Sequence, residues 1–162
     1  RILKIDLGIA EDAAALQKVL GELDPNLPVY IDSGGANPFS EREMGELRSL
    51  VDAANAEPVL ILPAGGDALE TADIAAAFQR VGCRRLIVTR LDMARRLGSL
   101  LAAAHAGRLA FSDVSINPQV ADGLSPIRPM SLARLMMPDL ALGTAGNGMH
   151  TPTTSTAIGA AS

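Results

Sequence analysis

Short apolar runs rich in β-branched residues alternate along this chain with longer stretches of helical periodicity, and that alternation limits the fold to few solutions. The clearest instance is residues 85–98. Arg85 to Thr89 reads as a buried strand, because Leu86, Ile87 and Val88 form an apolar run too short for a helix. Met93 to Ala106 reads as the helix that follows, leaving Thr89-Arg90-Leu91-Asp92 at the carboxyl end of the strand. In an open α/β sheet, ligands bind at that end.

The same alternation runs through the chain. Arg1 to Asp6 looks like a strand, and Glu11 to Leu23 a helix with Leu16, Val19, Leu20 and Leu23 on one stripe, stopped by Asp24-Pro25. Leu27 to Asp32 reads as a second strand, with Pro28 near its start, where a missing N–H does least harm. Ser40 and Glu43 form a capping box opening a helix to about Asn55, with Met44, Leu47, Leu50, Val51 and Ala54 inward. Glu57 to Ala64 is a third strand. Asp67 and Glu70 open a helix to Val81, with Gly82 as its stop. Leu109 to Ser115 is a fifth strand, and Ser131 to Met137 a short helix after an irregular loop. The class is α/β: a three-layer, mainly parallel sheet of about five strands flanked by helices, with right-handed crossovers. Residues 1–140 form the domain. Residues 141–162 are mostly Gly, Thr, Ala and Ser without periodicity, and are expected to be a flexible tail.

With 162 residues the chain can bury a real core, but only 2% are aromatic, so Leu, Ile, Val and Ala must build it. A net charge of −4 argues against a general nucleic-acid surface. A single cysteine, Cys83, excludes an internal disulfide framework and fits a reducing compartment; its place between helix and strand suggests a buried structural thiol. No apolar run approaches the ~18 residues of a membrane span. The opening Arg1-Ile2-Leu3, without Met, suggests a chain that starts mid-protein.

Two turns could carry chemistry. Asp32, followed by Ser33-Gly34-Gly35, can hold a water on Mg²⁺ while a glycine N–H reaches a terminal phosphate; equally, it can close an Asx turn on its own backbone. Asp92 can point both oxygens at a planar N–H edge with the stem of Arg90 over the ring; equally, it can cap the next helix. The order favours the first member of each pair: a metal and phosphate loop, then a base-reading loop about 60 residues on. His105, near a helix end, suits the helix dipole rather than catalysis, and His150 has no evident role. Asp113, Asp122 and Asp139 form no metal-ligand spacing. Arg84, Arg85, Arg95 and Arg96 are solvated charge or, in the sharper reading, a contact surface for a partner protein or acidic lipid heads.

Residues 1–137 resemble the second half of the GTPase domain of signal-recognition-particle-type GTPases, most closely the flagellar-biosynthesis branch. Asp32-Ser33-Gly34-Gly35-Ala36 is similar to the family's Asp-Thr-Ala-Gly-Arg, and Thr89-Arg90-Leu91-Asp92 to its guanine-reading Thr-Lys-Leu-Asp. Asn117-Pro118-Gln119-Val120-Ala121-Asp122-Gly123-Leu124 resembles its closing loop, Gly-Gln-x-Val-Pro-x-Asp-Leu. The resemblance implies a P-loop NTPase-like half domain. Asp92 would accept the N1 and N2 hydrogens of guanine, with Thr89 opening that motif and Arg90 over the ring. Asp32 would lie near the Mg²⁺ shell, and Gly35 would face the γ-phosphate. Asn117 would stand at the closing loop, and Gly98 would permit close packing between subdomains.

Departures from the family bound this reading. No Gly-x-x-x-x-Gly-Lys-[Ser/Thr] occurs in these 162 residues. Ala36 replaces an arginine, Asn117 a glycine and Gly123 an aspartate. The expectation is a fragment of a GTP-binding protein of flagellar biosynthesis or protein targeting. GTP and Mg²⁺ would bind, and hydrolysis occur, in the intact parent, and this chain alone would be inactive. The family implies homo- or heterodimers, no direct nucleic acid, and a cytoplasmic site with peripheral association at the inner membrane. The alternative is a degenerate nucleotide-fold domain acting as a protein-interaction module. A flavodoxin- or receiver-like module would need more acid at the first strand's end than Asp6.

Overall fold

The computed structural model describes residues 7–116 and 123–137. Three parallel strands, β1 (Val59–Pro63), β2 (Arg85–Thr89) and β3 (Ala110–Val114), join a short antiparallel β4 (Ser125–Pro126) in one sheet of order β1-β2-β3-β4. The helices are α1 (Ala13–Gly21), α2 (Glu41–Ala54), α3 (Ala68–Val81), α4 (Gly98–Gly107) and α5 (Pro129–Met136). The run β1-α3-β2-α4-β3 is a repeated βαβ unit, so the α/β, mainly parallel expectation holds. Because strand order follows chain order, right-handed crossovers put α3 and α4 side by side on one face.

Local signals set the helix ends. The Asp67 carboxylate accepts from the N–H groups of Leu69 and Glu70, both at 2.9 Å, and Gly82 ends α3 with φ 110°. At α2, the Ser40 hydroxyl accepts from Glu43 N–H, while the Glu43 carboxylate accepts from Asn37 N–H at 2.8 Å. The box is thus stretched by three residues, because Ser40 N–H already donates to the Asn37 carbonyl.

Leu60, Leu62, Leu86, Val88 and Val114 bury one sheet face against Ala75, Leu100 and Ala103. A core this poor in aromatics fills space by bringing helices close. Gly107 is what permits it: a Cβ there would lie 3.0 Å from the Ala75 carbonyl and 2.9 Å from the Leu109 side chain. Gly107→Ala is expected to cost about 1–3 kcal/mol in urea unfolding. Gly45→Ala, where a Cβ meets nothing within 4 Å, should instead stabilise α2 by about 0.5–1 kcal/mol. Cys83 is buried, and that burial raises its thiol pKa, which fits the structural role expected of it.

Three expectations are corrected. Leu27–Asp32 is not a strand; Val29, Tyr30 and Ile31 are 45%, 93% and 45% exposed. An isolated strand has no ladder to satisfy its backbone, and no described strand lies beside this one. The helix after β2 starts at Gly98, not Met93. Met93 and Ala94 donate three residues back, to Arg90 and Leu91, so the chain makes tight turns before the helix begins. The sheet has four described strands rather than five, one of them the unexpected β4, which pairs Ser125 with Val114 and Pro126 with Asp113. The expected strand over residues 1–6, Asn117 with residues 118–122, and the tail lie outside the described residues.

Among the described residues, no strand pairs with the outer edge of β1. Ala64 N–H donates to Thr89 O at 2.8 Å, so alternation turns the backbone groups of Ile61 and Pro63 away from β2. Pro63 therefore sits where its missing N–H breaks no described bond. Val59 and Ile61 are 39% and 59% exposed on the same strand. Among the described residues, no helix is long and apolar enough to cross a membrane.

Candidate functional site

The carboxyl end of β2 carries the strongest site geometry. Among the described residues, three non-glycine residues have positive φ: Asn55 at 48°, Arg108 at 49° and Arg90 at 59°. Asn55 and Arg108 close α2 and α4, an ordinary place for the left-handed conformation. Arg90 closes no helix. It bends the chain directly after Thr89, and such strain persists only where the surroundings impose it. Those surroundings are visible. Ala64 N–H holds Thr89 O, Ser115 N–H holds Val88 O at 2.8 Å, and Leu91 N–H reaches Ser115 O at 3.4 Å. The turn is pinned between the ends of β1 and β3.

Asp92 lies exposed on this turn. The helix-cap alternative is not realised: α4 has Leu97 at its N-cap and no side-chain cap bond. Asp92 makes no hydrogen bond or ion pair with a described residue, leaving both oxygens available as acceptors. Arg90 likewise has no described carboxylate partner and is exposed.

The glycine loop sits elsewhere. Ser33, Gly34, Gly35 and Ala36 line a hollow of about 230 Å³ with Glu43, Glu46, Leu47 and Leu50 of α2. Asp32 forms no hydrogen bond with a described residue, so the Asx-turn alternative is not realised either. Glu43 and Glu46 oppose an anion in this hollow, and a cation would have to offset them. The hollow contains none of Thr89, Arg90 or Asp92, and Asp32 is not on a sheet strand. The two motifs are therefore not assembled into one pocket by the described residues. A larger hollow of about 500 Å³, lined by residues including Phe39, Met44, Arg48 and Val81, contains no residue of either motif. At Gly98 a Cβ would meet nothing within 4 Å, so no described close packing depends on it. Among the described residues, no group of three or more His, Cys, Asp or Glu could hold a metal.

Sequence reasoning passed over the β1–α3 turn. Gly65, with φ 89°, places its backbone so that a Cβ would touch Ala94 at 3.6 Å, which sets the turn against the residues following Asp92. The signal was present: Gly65-Gly66 at a strand's carboxyl end.

Comparison with known proteins gives partial matches. Over 108 residues the chain is 33% identical to the signal recognition particle protein of Thermus aquaticus, covering 65% of this chain and 24% of that protein. Over 119 residues it is 24% identical to the flagellar biosynthesis protein FlhF of two strains of Helicobacter pylori, covering 73% of this chain and 26% of theirs. No family model matches the chain. The chain thus spans about a quarter of the length of the curated relatives it matches. Over part of its length the chain is similar to two kinds of protein of the signal-recognition-particle GTPase type.

Proposed function

We propose that these residues form the guanine-reading part of a GTP-binding protein of this family, and that GTP with Mg²⁺ is held usefully only when a phosphate loop is joined to it. The observation that carries the proposal is the strained Arg90 turn, which presents an unbonded Asp92 at the end of β2. In this reading Asp92 accepts from the guanine edge and the Arg90 stem covers the ring. Asp32 fits a water of the Mg²⁺ shell, because its carboxylate is exposed and unbonded. The Gly35 N–H would face the terminal phosphate.

Mg²⁺, when bound, supplies charge to phosphates that Glu43 and Glu46 would otherwise repel. The chain's own contribution is positioning, the main demand of phosphoryl transfer. Ala36 offers no cation there. The outer edge of β1 and residues 27–32 support the same reading: among the described residues neither has a strand neighbour, and a strand carrying a phosphate loop would meet both needs. Dimerisation with another protein of the family, and a role in flagellar biosynthesis or protein targeting, belong to this proposal.

A second reading is an interaction module without GTPase activity, favoured by the two carboxylates beside the glycine loop. Affinity separates the two. One bidentate base contact contributes about 1–3 kcal/mol and stacking about 1–3 more, whose midpoint corresponds to roughly millimolar binding. In an NMR titration of this chain, guanosine and GTP are expected to bind equally weakly and to shift the amides of Thr89 to Ala94. Shifts confined to other residues would contradict the base-reading assignment. Tight GTP binding would contradict the need for a separate phosphate loop.

A further inference from the structure

Helix α2 has the periodicity of a helix that packs, with Met44, Leu47, Leu50 and Val51 on one stripe, yet none of its 14 residues is buried. An amphipathic helix draws most of its stability from covering such a stripe, so this one is short of a partner. Leu47 and Leu50 meet the hollow beside the glycine loop. Met44 opens instead on the larger hollow of about 500 Å³, which α2 forms with the last turns of α3. The two hollows share no residue.

The larger hollow is an apolar groove with opposite charges at its two ends. Ala77 and Val81 of α3 are buried at its floor, Met44 lines it from α2, and Phe39 stands exposed at its rim. Arg48 ties the two helices together: its guanidinium donates to the Asp52 carboxylate at 2.9 Å and to the Arg80 carbonyl at 3.1 Å. With Arg48 answered by Asp52, the available cation at that end is Arg80, exposed and without an ion pair to a described carboxylate. Glu41 lies about two turns, or about 10 Å, before Arg48 along α2. It too lines the groove, exposed and without an ion pair to a described cation. Gly45 lies between these ends, and a Cβ there would meet nothing within 4 Å, so the fold has room for a side chain that the sequence withholds. Glycine inside a helix costs stability, and one use that offsets the cost is the close approach of another molecule to the backbone.

We propose that the groove between α2 and α3 receives a short amphipathic helix of a partner protein, acidic in its first turn and basic in its last, with an aliphatic ridge laid over Gly45. Charge sets the direction. A helix's own dipole favours acid at its N-terminus and base at its C-terminus, so the partner's first turn falls at Arg80 and its last at Glu41, antiparallel to α2. A helix fits better than an extended strand, because a strand needs a free main-chain edge and this groove is walled by two helices. Glu41 in the groove opposes a purely anionic ligand. The inference goes beyond the nucleotide reading and does not depend on it, since the groove contains no residue of the Asp92 turn or the glycine loop.

Fluorescence anisotropy of labelled helical peptides titrated with the 162-residue chain tests it. The first probe carries Glu in its first turn, leucines at i, i+3, i+4 and i+7, and Lys in its last turn. A second exchanges Glu and Lys, and a third replaces the leucines with Gln. The first is expected to bind, the second about threefold or more weakly, and the third not at all. Gly45→Leu fills the groove and should weaken the first probe at least about tenfold. Gly45→Ala, whose methyl meets nothing within the chain, should weaken it in the same direction by less. Arg80→Glu with Glu41→Lys should reverse the preference between the first two probes. Arg84→Glu, outside the groove, should change neither affinity. Circular dichroism of each variant shows that the fold is intact. No binding of the first probe, equal binding of the two charge orders, or undiminished binding to Gly45→Leu would overturn the proposal. Self-association of the chain that Gly45→Leu abolishes would overturn it in favour of a second copy as the occupant.

Discussion

Leu86→Ala is expected to lower the free energy of unfolding by about 2–5 kcal/mol, the range for a fully buried leucine whose site cannot collapse. Leu86 has no exposed surface and sits at the middle of the sheet, in register with Leu60 on β1 and Phe111 on β3. Its neighbours cannot fill the space. The sheet is fixed on both sides by main-chain hydrogen bonds, and α3 and α4 already approach as closely as Gly107 allows. Ile61→Ala is the internal comparison: at 59% exposure it should cost well under 1 kcal/mol. Urea unfolding of the two variants measures the difference. Similar losses would mean that the core is not centred on β2. The point bears on function, since the turn carrying Asp92 hangs from the end of this strand.

Much of this fold could be read from sequence because its signals are local. The Ser40, Asp67 and Gly82 boundaries are set by single side chains bonding or releasing nearby backbone, and each element falls within a residue or two of its expected place. The run Leu86-Ile87-Val88 needed only its own composition to read as a buried strand. The misses share a different cause. Leu27–Asp32 has a strand's composition, but a strand is completed by its neighbour, and no described strand supplies one. Met93–Leu97 has helical periodicity, but the Arg90 turn and its ties to β1 and β3 override it. Both depend on contacts far away in sequence.

The candidate site divides in the same way. Asp92 could be singled out by its position after a strand. Only the structure could show that it does not cap α4, because the helix begins five residues after the expected start. The loop Ser33 to Ala36 was equally visible as a sequence, yet its surroundings were not. Glu43 and Glu46 come from α2, and their effect on an anion depends on how that helix packs. Likewise, Gly65 meets Ala94 only because β1 and β2 are neighbours.

The Asp92→Asn substitution carries the second large effect. An aspartate offers two acceptors to the N1–H and N2–H groups of guanine. Asparagine keeps the size but presents an amide N–H₂ to one of them, so a donor faces a donor. Xanthine, with a carbonyl at C2, offers that amide an acceptor instead. Each good bidentate contact discriminates by about 1–3 kcal/mol, so GTP affinity should fall roughly 5- to 150-fold while XTP affinity rises. Arg90 constrains the result. Its left-handed turn fixes where Asp92 points, so Arg90→Gly should soften base selection without reversing it.

The most direct measurement is therefore a paired titration of GTP and XTP against this chain joined to a phosphate-loop half of a signal-recognition-particle-type GTPase, before and after Asp92→Asn. A preference for GTP that reverses toward XTP is the predicted result. An unchanged preference for guanine would show that Asp92 does not read the base.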